Sequence, residues 1–163
     1  MPTEQIWSLI LWVHYLALSL WVGGLFFASA VMAPAVHRSM ASKAVAGQIV
    51  STGLKRLNTI ELVACFLMIS TVLLSSRFVI TDRFLIYPLV TLLFMGSFTS
   101  FYAFCLTPKM TALRENTPGF DMLPAEDAAK KEFGFCHRIY VGFLTLNLIL
   151  GLVMLYFSVL YLR

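Results

Sequence analysis

The sequence has few charged residues. Asp, Glu, Lys and Arg make up 12% of the 163 residues, whereas a soluble domain carries about 25%. Hydrophobic residues account for 60% of the chain. This balance argues against a soluble globular domain and indicates an integral membrane protein. The length suits one domain of about four or five membrane spans.

Cysteines are also scarce, and their number and spacing disfavour both a disulfide framework and a zinc site. The three cysteines, Cys65, Cys105 and Cys136, lie in or beside apolar segments. An odd number argues against a disulfide framework, and their spacing fits no zinc motif.

The net charge of +4 comes from basic residues in short loops between apolar segments. Such a distribution is typical of membrane orientation rather than of nucleic-acid binding.

Long uncharged runs are what the chain does contain. The first, Ile6–Met32, has no charged residue and at about 1.5 Å per residue exceeds the hydrocarbon core of about 30 Å. We interpret it as a retained span, because Glu4 precedes it without any Lys or Arg and because it is too long for a signal peptide. We predict an all-α, up-down-up-down four-helix membrane bundle, with residues 1–163 as one transmembrane domain. The predicted spans are about 6–32, 57–74, 84–106 and 133–161.

Each predicted span carries small or polar residues at steps of three and four, which places them on one helix face. In the first span, Gly and Ala on that face favour close contact with another helix in lipid. The predicted buried faces are His14, Ala17, Leu18, Trp21, Gly24, Leu25 and Ala28 in span one; Asn58, Glu61, Cys65, Met68 and Val72 in span two; and His137, Tyr140, Leu144, Asn147, Gly151, Met154 and Ser158 in span four.

Basic residues predict the orientation. The loops after spans one and three contain eight Lys and Arg residues, and the opposite side contains three. Lys and Arg accumulate on the cytoplasmic side of a membrane. We therefore expect both termini to be periplasmic and the protein to lie in a bacterial inner membrane.

An inner polar layer is predicted at the cytoplasmic ends of spans two and four. It contains Asn58, Glu61, His137 and Arg138. A buried acid is costly without a partner, so Glu61 is expected to pair with Arg138 or His137. The layer is interpreted either as a structural ion pair or as a proton-linked or substrate-binding site. A metal site built with Cys105 and Cys136 is disfavoured, because the adjacent Cys136 and His137 point about 100° apart on a helix.

An outer and middle polar layer is predicted around His14 and Asn147, with Thr71 and Thr91 at similar heights. His14 is separated from His137 by roughly 20 Å along the membrane normal, so the two cannot share one metal ion. His14 is interpreted either as a hydrogen-bonding link between helices or as a haem ligand.

The pattern H-x6-W-x2-GLFF in span one, followed by AP and HRSM, resembles the small four-span membrane family called domain of unknown function 4149, which includes transmembrane protein 205-like proteins. TPKMTALRE after span three and F-x-F-x-H before Asn147 also resemble it. The resemblance covers most of the chain. It implies a compact bundle with His14 and His137 as marked positions and no established reaction.

A more distant resemblance is to HemJ-type protoporphyrinogen oxidases and copper-resistance D membrane proteins. His14, Trp21, Gly24, Leu25 and Phe26 match the first span of the oxidase in type and spacing. The resemblance implies haem b with His14 as an axial ligand. Span three lacks the oxidase's lysine, and span four lacks its Arg-x-x-Asn-Glu-x-Pro stretch.

Two functional hypotheses follow from these observations. The first is a non-enzymatic membrane bundle that binds a partner or small molecule, or assists transport, through its polar layers. The alternative is a haem-b-dependent oxidoreductase similar to protoporphyrinogen oxidase. The lipid bilayer is an expected partner in both, a membrane protein or a second copy is left open, and nucleic acid is not expected. The sequence does not specify a substrate or an oligomeric state.

Overall fold

Four long helices form the protein in a computed structural model that describes residues 2–78 and 85–161. The predicted start of span three at residue 84 lies outside these residues. No strand occurs in the described ranges. The first of the four consists of α1 (Pro2–Phe26) and α2 (Ala33–Ser39), the second is α3 (Lys43–Ser75), the third consists of α4 (Ile86–Phe101) and α5 (Thr107–Glu115), and the fourth is α6 (Ala128–Tyr161).

Each long helix packs against its neighbours in the chain, and the last also packs against the first, which closes the bundle. Four segments are long and apolar enough to cross a membrane: Thr3–Ser39, Ala44–Ser75, Ile86–Glu115 and Ala128–Leu160. Large side chains such as Phe66 and Phe104 point outward, where they are 69% and 68% exposed. Outward-facing apolar side chains of this size suit a lipid environment. The predicted all-α membrane four-helix bundle is confirmed.

Two turns of π-helix interrupt the odd-numbered spans. One, Phe27–Met32, joins α1 to α2, and the other, Tyr102–Leu106, joins α4 to α5. A proline, Pro34 or Pro108, follows each of them by two residues. Because proline lacks an N–H and crowds the carbonyl four residues earlier, the preceding turn widens. The first helix therefore does not end near residue 32, the predicted end of span one, but continues through the widened turn to Ser39.

The second span is part of a much longer helix than predicted. Ser42 caps α3 by accepting a hydrogen bond from the backbone N–H of Val45, as its sequence position indicates. Nothing between Gln48 and Leu57 breaks the helix, because that stretch contains no proline. With 33 residues, α3 is about 50 Å long. Its first turns therefore extend past a hydrocarbon core of about 30 Å.

The predicted buried faces of spans one and two are confirmed. Trp21 and Leu25 are fully buried, and so are Met68 and Val72 on α3. Close approach of the first and last helices depends on Gly151, where an added Cβ would lie 3.2 Å from Cδ1 of Trp21. On α6 the predicted face is buried from Tyr140 onward, but His137 is exposed.

Candidate functional site

His14 joins three helices at the end of the bundle that contains the N-terminus. Its Nδ1 lies 2.8 Å from Oγ1 of Thr71 on α3, and its Nε2 lies 2.9 Å from Oγ of Ser158 on α6. All three side chains are buried, His14 and Ser158 completely. We call these three residues the His14 cluster. Thr71 and Thr91 were both expected at heights similar to His14; Thr71 contacts it directly, whereas Thr91 bonds to the carbonyl of Tyr87 on its own helix.

The hydroxyls of the His14 cluster already have acceptors. Thr71 donates to the carbonyl of Met68, and Ser158 donates to the carbonyl of Met154. Both hydroxyl oxygens can therefore accept from an imidazole N–H, and a neutral ring is satisfied when one hydroxyl turns to donate to it. The cluster thus has enough hydrogen-bond partners without any further group.

This geometry does not fit haem ligation by His14. An axial ligand needs a ring nitrogen directed at the iron, and both nitrogens of His14 are directed at hydroxyls inside the bundle. His14 is also completely buried. Binding iron would require loss of one of these contacts and separation of the helices around the ring. The residues present therefore disagree with the haem-ligand interpretation.

A second buried group surrounds Glu61 on α3. Its Oε2 accepts a hydrogen bond of 2.6 Å from the hydroxyl of Tyr102, the first residue of the second π-turn. Asn147 on α6 donates through Nδ2 to the same hydroxyl at 3.1 Å and to Oγ1 of Thr99 at 2.9 Å. All four side chains are buried with no exposed surface. We call these four residues the Glu61 network.

Two oxygens of the Glu61 network have no hydrogen-bond donor. They are Oε1 of Glu61 and Oδ1 of Asn147. A buried oxygen without a donor is unfavourable, and such atoms mark sites where a proton, a water molecule or a ligand completes the network. The network therefore contains unused acceptor capacity around a single carboxyl group.

The predicted pairing of Glu61 with a basic residue is wrong. Arg138 and His137 are both exposed, whereas Glu61 has no exposed surface. The His137 ring stacks on Phe133, one turn earlier on α6. A phenol, Tyr102, takes the place of the expected cation. The four residues predicted as one inner layer are thus divided between the interior and the surface.

The other two predicted positions are also separated. Asn58 accepts a hydrogen bond of 3.1 Å from the hydroxyl of Tyr140, one turn before Glu61 along α3. Asn147 belongs to the Glu61 network and not, as predicted, to the layer of His14. Asn147 and Ser158 are eleven positions apart on α6, a distance of about 16 Å. Apolar side chains such as Met68 and Met154 lie between the two groups.

A cleft of about 860 Å³ opens at the end of the bundle nearer the Glu61 network. Its walls come from the first turns of α3, from α5 and the turn after it, and from the start of α6. We call it the loop cleft. It is lined by residues that include His37, Lys55, Arg114, Phe120, Phe133, His137 and Tyr140.

Arg114 holds one wall of the loop cleft in place. Its Nη2 donates to Oδ1 of Asp121 at 3.3 Å, and its guanidinium lies 5.7 and 5.5 Å from the ring centres of Phe120 and Phe133. These distances are within the range of cation–π contacts. Its Nε is buried and has no acceptor. The guanidinium thus keeps donor capacity within the cleft.

No three His, Cys, Asp or Glu side chains in the described ranges converge as metal ligands. Two members of the metal site considered from the sequence, Cys105 and His137, are exposed, while Glu61 is enclosed in its network. These residues therefore do not form one ligand set.

A family model described as domain of unknown function (DUF4149) matches residues 16–118 of the 163-residue chain. The chain belongs to this family. No curated protein and no solved structure matches it. The resemblance seen in the sequence is thus confirmed for DUF4149, and the oxidase resemblance is not supported by a match.

The most important residues that the sequence did not single out in this DUF4149 protein are Tyr102 and Thr99. They continue the buried face of α4, in which Thr91, Met95, Thr99 and Tyr102 follow one another at steps of four, four and three. This spacing was the available signal, because it places both hydroxyls on the side of span three that faces the bundle.

Proposed function

We propose that this protein binds a small molecule in the loop cleft, on the cytoplasmic side of a bacterial inner membrane, and that the whole chain acts as one transmembrane domain. The size of the cleft, about 860 Å³, carries the proposal. Ligand sites commonly occupy about 300–1,000 Å³ and combine aromatic walls with a few polar groups.

The chemistry of the cleft supports this assignment. Phe120 and Phe133 offer apolar surface, and Arg114 and Lys55 offer hydrogen-bond donors. Tyr140 lies deepest and is bonded to Asn58, so a ligand that reaches it touches the buried polar interior. The cleft therefore extends from the loops to the first buried polar side chains of the bundle, as expected for binding that assists transport.

A substitution that fills the cleft tests the proposal. Ser51 is a small, partly buried residue in its wall, and Ser51→Trp should occupy the space that a ligand needs. Small molecules extracted from the purified protein are identified by mass spectrometry for the wild type, for Ser51→Trp and for Ser29→Trp. Ser29 is exposed on the first π-turn and provides the matched control.

A compound that is retained by the wild type and the Ser29→Trp protein, but lost from Ser51→Trp, is the expected result. The same set of compounds in all three proteins would argue against binding in the cleft. Thermal unfolding in detergent establishes that the Ser51→Trp protein is folded.

We further propose that both termini face the periplasm, since eight basic loop residues lie on one side and three on the other. After replacement of the native cysteines by serine, a cysteine at Thr3 should react with a membrane-impermeant thiol reagent in cells whose outer membrane is permeabilised. A cysteine at Thr117 should react only after the inner membrane is opened. Labelling of Thr117→Cys in intact inner membranes would reverse the orientation.

A further inference from the structure

Glu61 is an acid held inside a membrane bundle without a cation. It has no exposed surface, and the described part of the chain places no Lys, Arg or His within ion-pair distance of it. An ionised carboxylate in such surroundings carries a large desolvation penalty. The neutral, protonated form avoids that penalty.

We propose that Glu61 is a proton-carrying site that exchanges its proton with water in the loop cleft. The proposal goes beyond ligand binding and does not depend on it, because it concerns a proton held by the chain's own carboxyl group. It rests on the hydrogen bonds around Glu61 and on the position of the cleft.

The proton is assigned to Oε1. The other oxygen, Oε2, accepts from Tyr102, while Oε1 has no donor. A proton on Oε1 turns that unmet acceptor into a donor. In the same network, Oδ1 of Asn147 is an acceptor without a donor. Protonation therefore reduces the number of unmet acceptors in the Glu61 network.

The deprotonated form is also accommodated. When the proton leaves Oε1 for water, the negative charge stays on the carboxylate, and Tyr102 continues to donate to Oε2 at 2.6 Å. The Tyr102 hydroxyl in turn accepts from Nδ2 of Asn147, which polarises it as a donor. A hydrogen bond to an ionised acceptor is stronger than one between neutral groups. The network thus supports both protonation states.

A short route connects Glu61 with the cleft. Asn58 lies one helical turn away on α3 and bonds to Tyr140, which lines the loop cleft. Asn58 also lines a second cleft, of about 480 Å³, between α3 and α5. The ring centres of Tyr102 and Tyr140 are 5.1 Å apart. Water that reaches Asn58 is therefore about one turn of helix from the carboxyl group.

Few titratable groups face Glu61. They are Tyr102 from the second π-turn, Tyr140 from α6 and Cys65 from its own helix, and the buried side chains of α1 near this level, Trp21 and Leu25, do not titrate. Lys55, His37 and His137 lie along the cleft. The carboxyl is thus the strongest acid in this layer by ordinary pKa, so it is the group of the layer that releases a proton most readily.

Infrared spectroscopy of the purified protein at neutral pH tests the proposal without any ligand. The wild type should show the carbonyl band of a protonated carboxyl group, and Glu61→Gln should lose it. Glu132→Gln is the matched control, because Glu132 is exposed and paired with Lys109; this protein should keep the band. On transfer to D₂O the band should shift promptly in the wild type and several-fold more slowly in Tyr140→Phe.

A band that is absent from the wild type, or that survives in Glu61→Gln, overturns the proposal. A band that does not shift in D₂O during prolonged incubation also overturns it, because the proton is then purely structural. Equal exchange rates in wild type and Tyr140→Phe refute the route past Asn58. Loss of compound binding in Ser51→Trp bears only on the ligand site, so failure of one proposal is distinguishable from failure of the other.

Discussion

Replacing His14 with alanine is expected to lower the free energy of unfolding by about 3–5 kcal/mol. The imidazole connects α1 to α3 through Thr71 and to α6 through Ser158. Alanine removes both links and leaves a cavity in a fully buried position. The two hydroxyls keep their own carbonyl acceptors, so the cavity accounts for more of the loss than unsatisfied hydrogen bonds do. Unfolding in detergent, followed by helical circular dichroism, measures the change.

His14→Phe separates the two contributions. Phenylalanine fills most of the cavity but makes neither hydrogen bond, so a smaller loss of about 1–2 kcal/mol is expected. A stability of His14→Ala within about 0.5 kcal/mol of the wild type, the range of ordinary surface substitutions, would mean that the ring does not hold the helices together.

The His14→Ala protein also tests the haem alternative. Purified wild type, prepared with haem supplied, should lack a Soret band because both nitrogens of His14 are occupied by hydroxyls. A near-stoichiometric band that disappears in His14→Ala would contradict this geometry and support the oxidase resemblance.

Helix faces were predictable because packing in the bundle follows the helical period. Trp21, Met68 and Met154 sit at steps of three and four from other buried residues, and all are fully buried. The period fails at His137, which is exposed. There the helices extend past the close-packed bundle and line the loop cleft, so a side chain on the inward face meets open space. Periodicity predicts the face of a residue but not where the neighbouring helices end.

The partner of Glu61 was not predictable in the same way. A charge argument selects a cation for a buried acid, and Arg138 and His137 were the candidates at the depth of Glu61. The chain instead uses the hydroxyl of Tyr102. Tyr102 lies on the buried face of span three, three residues after Thr99, and an argument from charge does not consider a phenol as a partner. The depth of Glu61 in the bundle therefore indicated that its carboxyl group needs a partner, but it did not identify Tyr102 as that partner.

The interaction between Glu61 and Tyr102 gives the last prediction. Tyr102→Phe removes the one donor to the carboxyl group and leaves both of its oxygens buried without a partner. This should cost about 1–3 kcal/mol, the penalty of an unmet buried polar group. In Tyr102→Phe with Glu61→Leu the stranded carboxyl is gone, so the double variant should lose less than the sum of the single losses. Arg138→Leu, at an exposed position, should change stability by no more than about 0.5 kcal/mol.

The free energies of unfolding of wild type, both single variants and the double variant form the cycle that measures this coupling. A coupling of about 1 kcal/mol or more is expected, because residues in one hydrogen-bond network are not additive. Additive losses, within about 0.5 kcal/mol, would show that the two side chains act independently. A large loss in Arg138→Leu would instead restore the ion pair that the sequence suggested.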